Sequence, residues 1–156
     1  MPSWADFAAA APGLAVAGLD LFGRRAGEAL LATVRGADDP PRLHPVTVAL
    51  IDGRLFVFVI GRSPKAADLA ADGRFALHAH VDPDRPVEFS LRGCAVRVDD
   101  PSRRATVAAG WAFAVDETYD LFELSVERAL LGARETADDW PPQYTAWSAA
   151  PASPGS

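Results

Sequence analysis

Residues 42–60 read RLHPVTVALIDGRLFVFVI, and this stretch decides the fold of the chain. Two runs rich in β-branched and aromatic residues flank the pair Asp52-Gly53, which is a strong signal for a two-residue hairpin turn. After its first residue the second run is apolar on both faces, as expected of a strand in the middle of a sheet. The sequence therefore predicts an antiparallel pair of strands, 42–51 and 54–60.

Shorter runs with the two-residue period of strands lie on both sides of this hairpin. Asp, Gly and Pro separate them in short connections, which favours antiparallel pairing. Six or seven such strands with single helices between them close most economically into a small barrel. The predicted fold class is mainly β, a six- to seven-stranded antiparallel barrel with flanking helices, and the predicted strands are 29–34, 42–51, 54–60, 74–81, 87–98, 119–126 and 128–134.

The chain has 156 residues, nearly half of them apolar, and is large enough for one domain with its own core. Ser3 and Asp6 form a capping-box pattern at the start of a helix, and an Ala/Leu-rich helix follows. Four segments are predicted: N-terminal helices packed on the barrel (1–27), the barrel (28–136), an aromatic C-terminal segment of the same domain (137–148) and a disordered tail (149–156).

Charge and composition exclude several classes of partner. The net charge is −6 and no basic stripe is visible, which argues against nucleic acid. Cys94 is the single cysteine, so an intramolecular disulfide and a CxxC metal site are both excluded. No basic region precedes an apolar stretch at the N-terminus, and no apolar run is long enough to span a membrane. We therefore expect a cytoplasmic protein without a membrane partner.

Side chains that could carry chemistry by themselves are scarce. His78 and His80 share one face of a predicted strand, at a spacing that could hold a metal or a haem iron. The sequence offers no third ligand for them, so no metal site is predicted. No Ser-His-Asp order or carboxylate pair points to hydrolysis, and no catalytic residue is assigned. If the chain is an enzyme, a cofactor would carry the reaction.

The chain has fourteen arginines and one lysine, Lys65, which follows Ser63-Pro64 after an apolar run. Proline fits the first turn of a helix, so a helix is predicted to begin here and to extend to residue 71. A helix N-terminus with a hydroxyl and an ammonium group is suited to a phosphate. The alternative is a solvated lysine on the first turn of the helix.

The hairpin is expected to place residue 42 opposite residue 62 or 63. Three cations and a hydroxyl would then gather at one end of the hairpin, from Arg42, Arg62, Lys65 and Ser63. The strand backbone leading away from them offers a flat apolar edge with main-chain donors and acceptors. A phosphate at one end and a planar aromatic system along the strands describe flavin mononucleotide (FMN). The predicted cofactor-binding residues are Arg42, His44, Pro45, Val46, Val59, Ile60, Arg62, Ser63 and Lys65.

These segments resemble the pyridoxamine 5′-phosphate oxidase-like family of flavin-binding split barrels. The likeness extends over roughly residues 3–148. The segments that carry it are LLATV at 30–34, PRLHPV at 41–46, GRLFVF at 53–58, SPKAADL at 63–69, FALH at 75–78 and RGCA at 92–95.

The resemblance implies a split barrel that forms a homodimer, with two flavin sites across the subunit interface. In such families the first basic residue of the second strand and the Ser and Lys after the third strand hold the phosphate, which correspond here to Arg42, Ser63 and Lys65. The backbone near His44 and near Val59 would flank the flavin ring. The opposite subunit would cover the ring, and the candidates for this role are Trp111, Trp140, Tyr144 and Trp147.

The chain also departs from true pyridoxamine phosphate oxidases. It has Pro64 where they often have a second basic residue, and Glu88 where they have a Gln for the flavin. Oxidation of pyridoxamine phosphate is therefore not expected. The predicted function is an FMN-binding oxidoreductase that transfers hydride to or from a small organic substrate. Two alternatives remain: a reductase that uses the deazaflavin F420, favoured by extra arginines at Arg62, Arg74 or Arg104, and a non-catalytic flavin-binding protein.

Overall fold

The computed structural model describes residues 1–84 and 86–151. The predicted tail falls partly outside them, since 152–156 are not described. The helices are α1 (Trp4–Ala10), α2 (Pro12–Arg24), α3 (Pro64–Ala71) and α4 (Pro101–Ala109). The strands are β1 (Glu28–Thr33), β2 (Arg42–Ile51), β3 (Arg54–Ile60), β4 (Arg74–Ala79), β5 (Glu88–Arg97), β6 (Tyr119–Leu124), β7 (Arg128–Ala133) and β8 (Gln143–Ser148).

Six strands close into an antiparallel barrel in the order β4-β1-β2-β3-β6-β5, with β5 pairing back onto β4. The strands β7 and β8 extend the sheet outward from β5. This confirms the predicted mainly β antiparallel barrel with flanking helices. The eighth strand was not predicted, because most of its side chains are exposed and give no alternation. It is held by pairing with β7 and by packing of Trp147 on Phe7, whose ring centroids are 5.1 Å apart.

The hairpin turn forms as predicted, with positive φ angles of 50° at Asp52 and 72° at Gly53. The register predicted for the far end of the hairpin is wrong. β2 pairs with β3 only from Ile51↔Arg54 to Val48↔Val57. Its first half pairs with β1 instead, and Arg42 lies opposite Thr33. The turn determines the register nearby, but closure of the barrel draws the start of β2 away from β3.

Two apolar clusters stabilise the barrel. The larger fills the interior, where α1 and α2 add Phe7, Leu14 and Phe22 to the buried faces of the strands. The smaller lies outside β3 and β6, where α4 covers Phe56, Phe58 and Leu121. Among the described helices, none has the length and apolar character needed to cross a membrane.

Candidate functional site

A cleft of about 390 Å³ opens where β2 and β3 diverge. Five of the nine residues predicted to bind a cofactor line it: Pro45, Val46, Val59, Ile60 and Lys65. The walls are completed by Glu28, Thr47, Phe58, His80, Phe113 and Tyr119. Part of β2, the end of β3 and the start of α3 therefore surround one opening.

The separation of β2 from β3 at this point explains why the cleft suits a ligand. In the described pairing, residues 42–47 of β2 bond to β1 and residues 58–60 of β3 bond to β6, with no ladder joining the two halves. The two strand edges that face each other across the cleft therefore have backbone groups without a strand partner. Such groups need another partner when they are shielded from water. A flat polar ring can supply one.

The helix α3 begins beside this cleft. Ser63 is its N-cap and accepts a hydrogen bond from the Ala66 amide at 3.2 Å, and Pro64 occupies the first turn. Lys65 follows, and its ammonium group makes no hydrogen bond or ion pair with any described residue. The serine oxygen is engaged, but its hydroxyl proton remains available to a ligand.

Asp68, one turn further along α3, is fully buried and is bound by two arginines and a threonine. Its carboxylate accepts from Thr33 Oγ1 at 2.8 Å, from Arg35 Nε at 2.9 Å and from Arg42 Nη1 at 2.8 Å. Burial pushes the pKa of Asp68 up, but the bonds from Thr33 and Arg42 and the two arginine charges outweigh it, so the pKa is lowered. Asp68 is therefore ionised, and its single negative charge balances one of the two positive charges of Arg35 and Arg42.

The remaining predicted residues lie around the cleft rather than in its wall. Arg42 is held on Asp68, 40% of its side chain remaining exposed. His44 Nε2 lies 3.2 Å from Thr33 Oγ1. Burial lowers the pKa of His44, and the positive charge of Lys65 lowers it further. The imidazole is consequently neutral at pH 7. Arg62 is exposed in the turn before α3.

Sequence reasoning missed six residues of the cleft wall. Thr47 and Phe58 adjoin predicted residues, and inspection of the strand edges could have found them. Tyr119 lies opposite Ile60 in the β3–β6 pairing, a contact that depends on barrel closure. Glu28, His80 and Phe113 lie on other segments of the chain, and nothing in the sequence around them indicates that they approach the cleft. Glu88, which the resemblance placed near the flavin, is not in the wall of the cleft.

The four aromatic residues suggested as a cover for the ring divide into two pairs. Trp111 is buried against Phe58, with ring centroids 4.9 Å apart, and Trp147 packs on Phe7 in the same chain. Trp140 and Tyr144 are exposed by 76% and 53%. Only the second pair is free to meet another subunit.

No protein-family profile matches the sequence, and no curated protein matches it. Similar structures do exist. A NimC/NimA family protein from Clostridium acetobutylicum superposes with a TM-score of 0.62 at 14% identity, over 85% of this chain and 92% of that one. A candidate pyridoxamine 5′-phosphate oxidase from Listeria innocua gives 0.57 at 17% identity, over 73% and 94%.

A haem-binding protein from Mycobacterium smegmatis gives a TM-score of 0.60 at 19% identity, over 82% of this chain. This chain spans only 55% of the length of that protein. At such identities the likeness shows the fold. The neighbours in structure are pyridoxamine 5′-phosphate oxidase-like split-barrel proteins, some of which bind haem.

Proposed function

We propose that this protein binds FMN in the cleft between β2 and β3 and acts as an oxidoreductase on a small organic substrate. The observation that carries the proposal is the position of Lys65. The one lysine of the chain lines a cleft between two unpaired strand edges, and no described carboxylate pairs with it.

The residues present fit such a group. Ligand sites have volumes of about 300–1,000 Å³, and this cleft lies within that range. Its wall combines apolar side chains with polar groups, among them Lys65, His80 and Tyr119. Near its α3 end, Arg35, Arg42, Arg62 and Lys65 outnumber the one buried carboxylate, Asp68. That excess of positive charge suits a dianionic phosphate. Glu28 is the acidic residue of the wall and works against it.

The groups in and beside the wall would have separate roles. The Lys65 ammonium group and the Ser63 hydroxyl would bind the phosphate, and the backbone of β2 and β3 would orient the ring through its polar edge. Phe58 and Phe113 exclude water from the ring. Bound FMN supplies hydride transfer, so no side chain has to act as acid or base. The Tyr119 hydroxyl and the His80 imidazole are further polar groups of the wall that would contact the ring or its substrate.

We further propose that the chain functions in the cytoplasm as a homodimer with the cofactor at the interface. Exposed apolar side chains flank the cleft: Leu43 is 66% exposed and Ile60 is 44% exposed. A second subunit would cover them and could place its Trp140 or Tyr144 over the ring. Sedimentation equilibrium tests this proposal, which a monomer at micromolar concentration would contradict.

Two of the three arginines that would favour F420 are already engaged by other groups. F420 has a longer and more acidic tail, so it requires arginines that are free to bind it. Arg74 is paired with Asp72 at 2.6 Å, and Arg104 donates to the Asp116 carbonyl at 2.7 Å while lying over the Phe58 ring. Of the three arginines considered, only Arg62 has no such contact within the described residues.

Haem binding is a second candidate, and the position of His80 favours it. Its imidazole lines the cleft, and histidine is a common axial ligand of haem iron. His78 does not join it there, because its Nδ1 bonds to the Ala79 carbonyl within the strand. A single histidine in a mixed cleft supports haem less strongly than an unpaired lysine supports a phosphate.

Tryptophan fluorescence decides between these ligands, because Trp111 packs on Phe58 of the cleft wall. Cofactor-stripped protein is titrated with FMN, F420 and haemin in parallel. We expect quenching by FMN with micromolar or tighter affinity, weakened at least tenfold in Lys65→Ala. The matched control is Arg54→Ala, which removes an exposed cation at the opposite end of β3 and should leave the affinity unchanged.

Other outcomes identify the alternatives. Quenching by F420 alone would select the deazaflavin, and a Soret band lost in His80→Ala would select haem. Binding of FMN without turnover of any nicotinamide or organic donor would select a flavin-binding protein without catalysis. Failure of all three ligands to bind a folded protein would end the cofactor proposal.

A further inference from the structure

A second cavity, of about 600 Å³, lies on the outer face of the sheet, away from the cleft. Three guanidinium groups line it, from Arg74 on β4, Arg92 on β5 and Arg128 on β7. Glu127 is the carboxylate among its described lining residues. A chain with 21 acidic and 15 basic residues thus has a cavity in which cations dominate.

Two of these arginines face each other directly. Arg92 and Arg128 are partners in the β5–β7 register, and both are exposed. Like charges directly opposite on one sheet face destabilise the sheet. Neither guanidinium forms an ion pair or a hydrogen bond with a described side chain, whereas Arg74 is bound by Asp72 at 2.6 and 2.8 Å. The sheet therefore keeps an unfavourable cation pair for which no described residue supplies a counter-ion.

The neighbouring groups do not remove this charge. Glu127 lies more than 4 Å from the guanidinium nitrogens of all described arginines, and its Oε1 accepts from Ser125 Oγ at 3.3 Å. Cys94 also lines the cavity, and burial and the charge of Glu127 raise the pKa of its thiol, so it adds no negative charge. The rest of the wall carries no charge and consists of Gly93 and the apolar residues Ala32, Val34, Pro41, Phe75 and Ala76.

We propose that Arg92 and Arg128 form a binding site for a phosphate monoester of a small organic molecule. Each guanidinium is a planar fork of donors that matches the oxygens of a phosphate, and two forks match its two charges. The apolar wall would hold the organic part of the ester. This site is separate from the cleft, since none of its described lining residues also lines the cleft. The inference goes beyond the proposed function and does not depend on it.

The test uses full-length Lys65→Ala protein, in which the proposed phosphate site of the cleft is disabled. Thermal unfolding is followed against inorganic phosphate and phenyl phosphate at constant ionic strength. We expect both ligands to raise the midpoint, phenyl phosphate at lower concentration because its ring adds apolar contact. Adding Arg92→Gln or Arg128→Gln should weaken each apparent affinity about tenfold. Arg54→Gln is the matched control and should have no effect.

A second measurement separates a binding role from a structural one. In phosphate-free buffer of low ionic strength, Arg92→Gln should leave the midpoint unchanged or raise it, because it removes a like-charge contact. Arg92→Lys keeps the charge but loses the fork, so its affinity should lie between those of the parent and the glutamine variant. This conservative variant keeps the test valid if the glutamine variants fold poorly.

Two results would overturn the inference. The first is a Lys65→Ala protein that neither ligand stabilises; if the ligands do stabilise the parent protein, this result assigns all phosphate binding to the cleft and leaves the proposed function intact. The second is a ligand-induced shift that survives in Arg92→Gln/Arg128→Gln.

Discussion

Arg42 donates from Nη1 to both carboxylate oxygens of Asp68, at 2.8 and 2.9 Å, across a sequence separation of 26 residues. The contact joins the start of β2 to the middle of α3. The first turn of the same helix carries Lys65, so this ion pair holds the lysine beside the strand edge that lines the cleft. Arg42 thus acts on the cleft by positioning α3.

Replacement of Asp68 by Asn is expected to lower the free energy of unfolding by about 3 kcal/mol. The change removes the charge that two arginines and Thr33 satisfy, and it leaves Arg35 and Arg42 repelling each other at the end of the barrel. Arg42→Ala should cost less, about 1–2 kcal/mol, because Asp68 keeps its bonds to Arg35 and Thr33. Urea unfolding measures both values.

The control for this prediction is Arg25→Ala. Arg25 pairs with Glu28 at 4.0 Å, and the two side chains are 60% and 59% exposed. Exposed pairs contribute little, so the change should stay within about 0.5 kcal/mol. Equal losses in Asp68→Asn and Arg25→Ala would mean that the buried network does not hold α3.

Stability should decline as the pH falls below 6.5, with a contribution from His44. Burial and the charge of Lys65 lower its pKa in the folded protein below the ordinary value of 6.5. Between these two values the unfolded chain binds more protons than the folded one, so the free energy of unfolding decreases as the pH decreases. The stability that depends on neutral His44 is fully present above pH 6.5 and is lost as the pH falls through the pKa of the folded protein.

The measurement is the urea midpoint of wild type and His44→Asn at several pH values between 5 and 8. The wild type should lose more stability on acidification than the variant does. The control is His78→Asn, since His78 lies on another strand and bonds locally to the Ala79 carbonyl. Parallel pH profiles for wild type and His44→Asn would contradict the prediction.

The sequence predicted the strands well because their signals are local. The Asp52-Gly53 turn and the apolar run after it placed β2 and β3 at their observed bounds. The register at Arg42 failed because it depends on β1, which competes for the start of β2. The missed wall residues His80, Phe113 and Tyr119 arrive from distant segments, and only barrel closure brings them to the cleft.

Gly27 controls the point at which β2 changes partner. Its φ is +82°, its carbonyl accepts from the Val48 amide at 2.9 Å, and an added Cβ would lie 2.2 Å from the Val48 oxygen. Gly27→Ala should therefore lower stability by more than about 2 kcal/mol. Gly23→Ala is the matched control in α2, where a Cβ meets nothing within 4 Å and should raise stability by up to about 1 kcal/mol.

Thermal unfolding of the two glycine variants tests this directly. The prediction requires opposite shifts of the midpoint, downward for Gly27→Ala and upward or flat for Gly23→Ala. If Gly27→Ala keeps the wild-type midpoint, the β2 crossover does not depend on the left-handed conformation at this residue.

Glu28→Gln should strengthen FMN binding, on the premise that FMN occupies the cleft. Glu28 is the carboxylate of the cleft wall, and its nearest cation among the described residues is Arg25 at 4.0 Å, with both side chains more than half exposed. Removing a like charge near a phosphate should raise affinity about threefold in low salt, less at high ionic strength. Glu88→Gln is the matched control, because Glu88 lies outside the wall and its loss should leave affinity unchanged. If Glu88→Gln strengthened FMN binding and Glu28→Gln did not, the flavin would lie near Glu88, as the family resemblance suggested, and not in the cleft between β2 and β3.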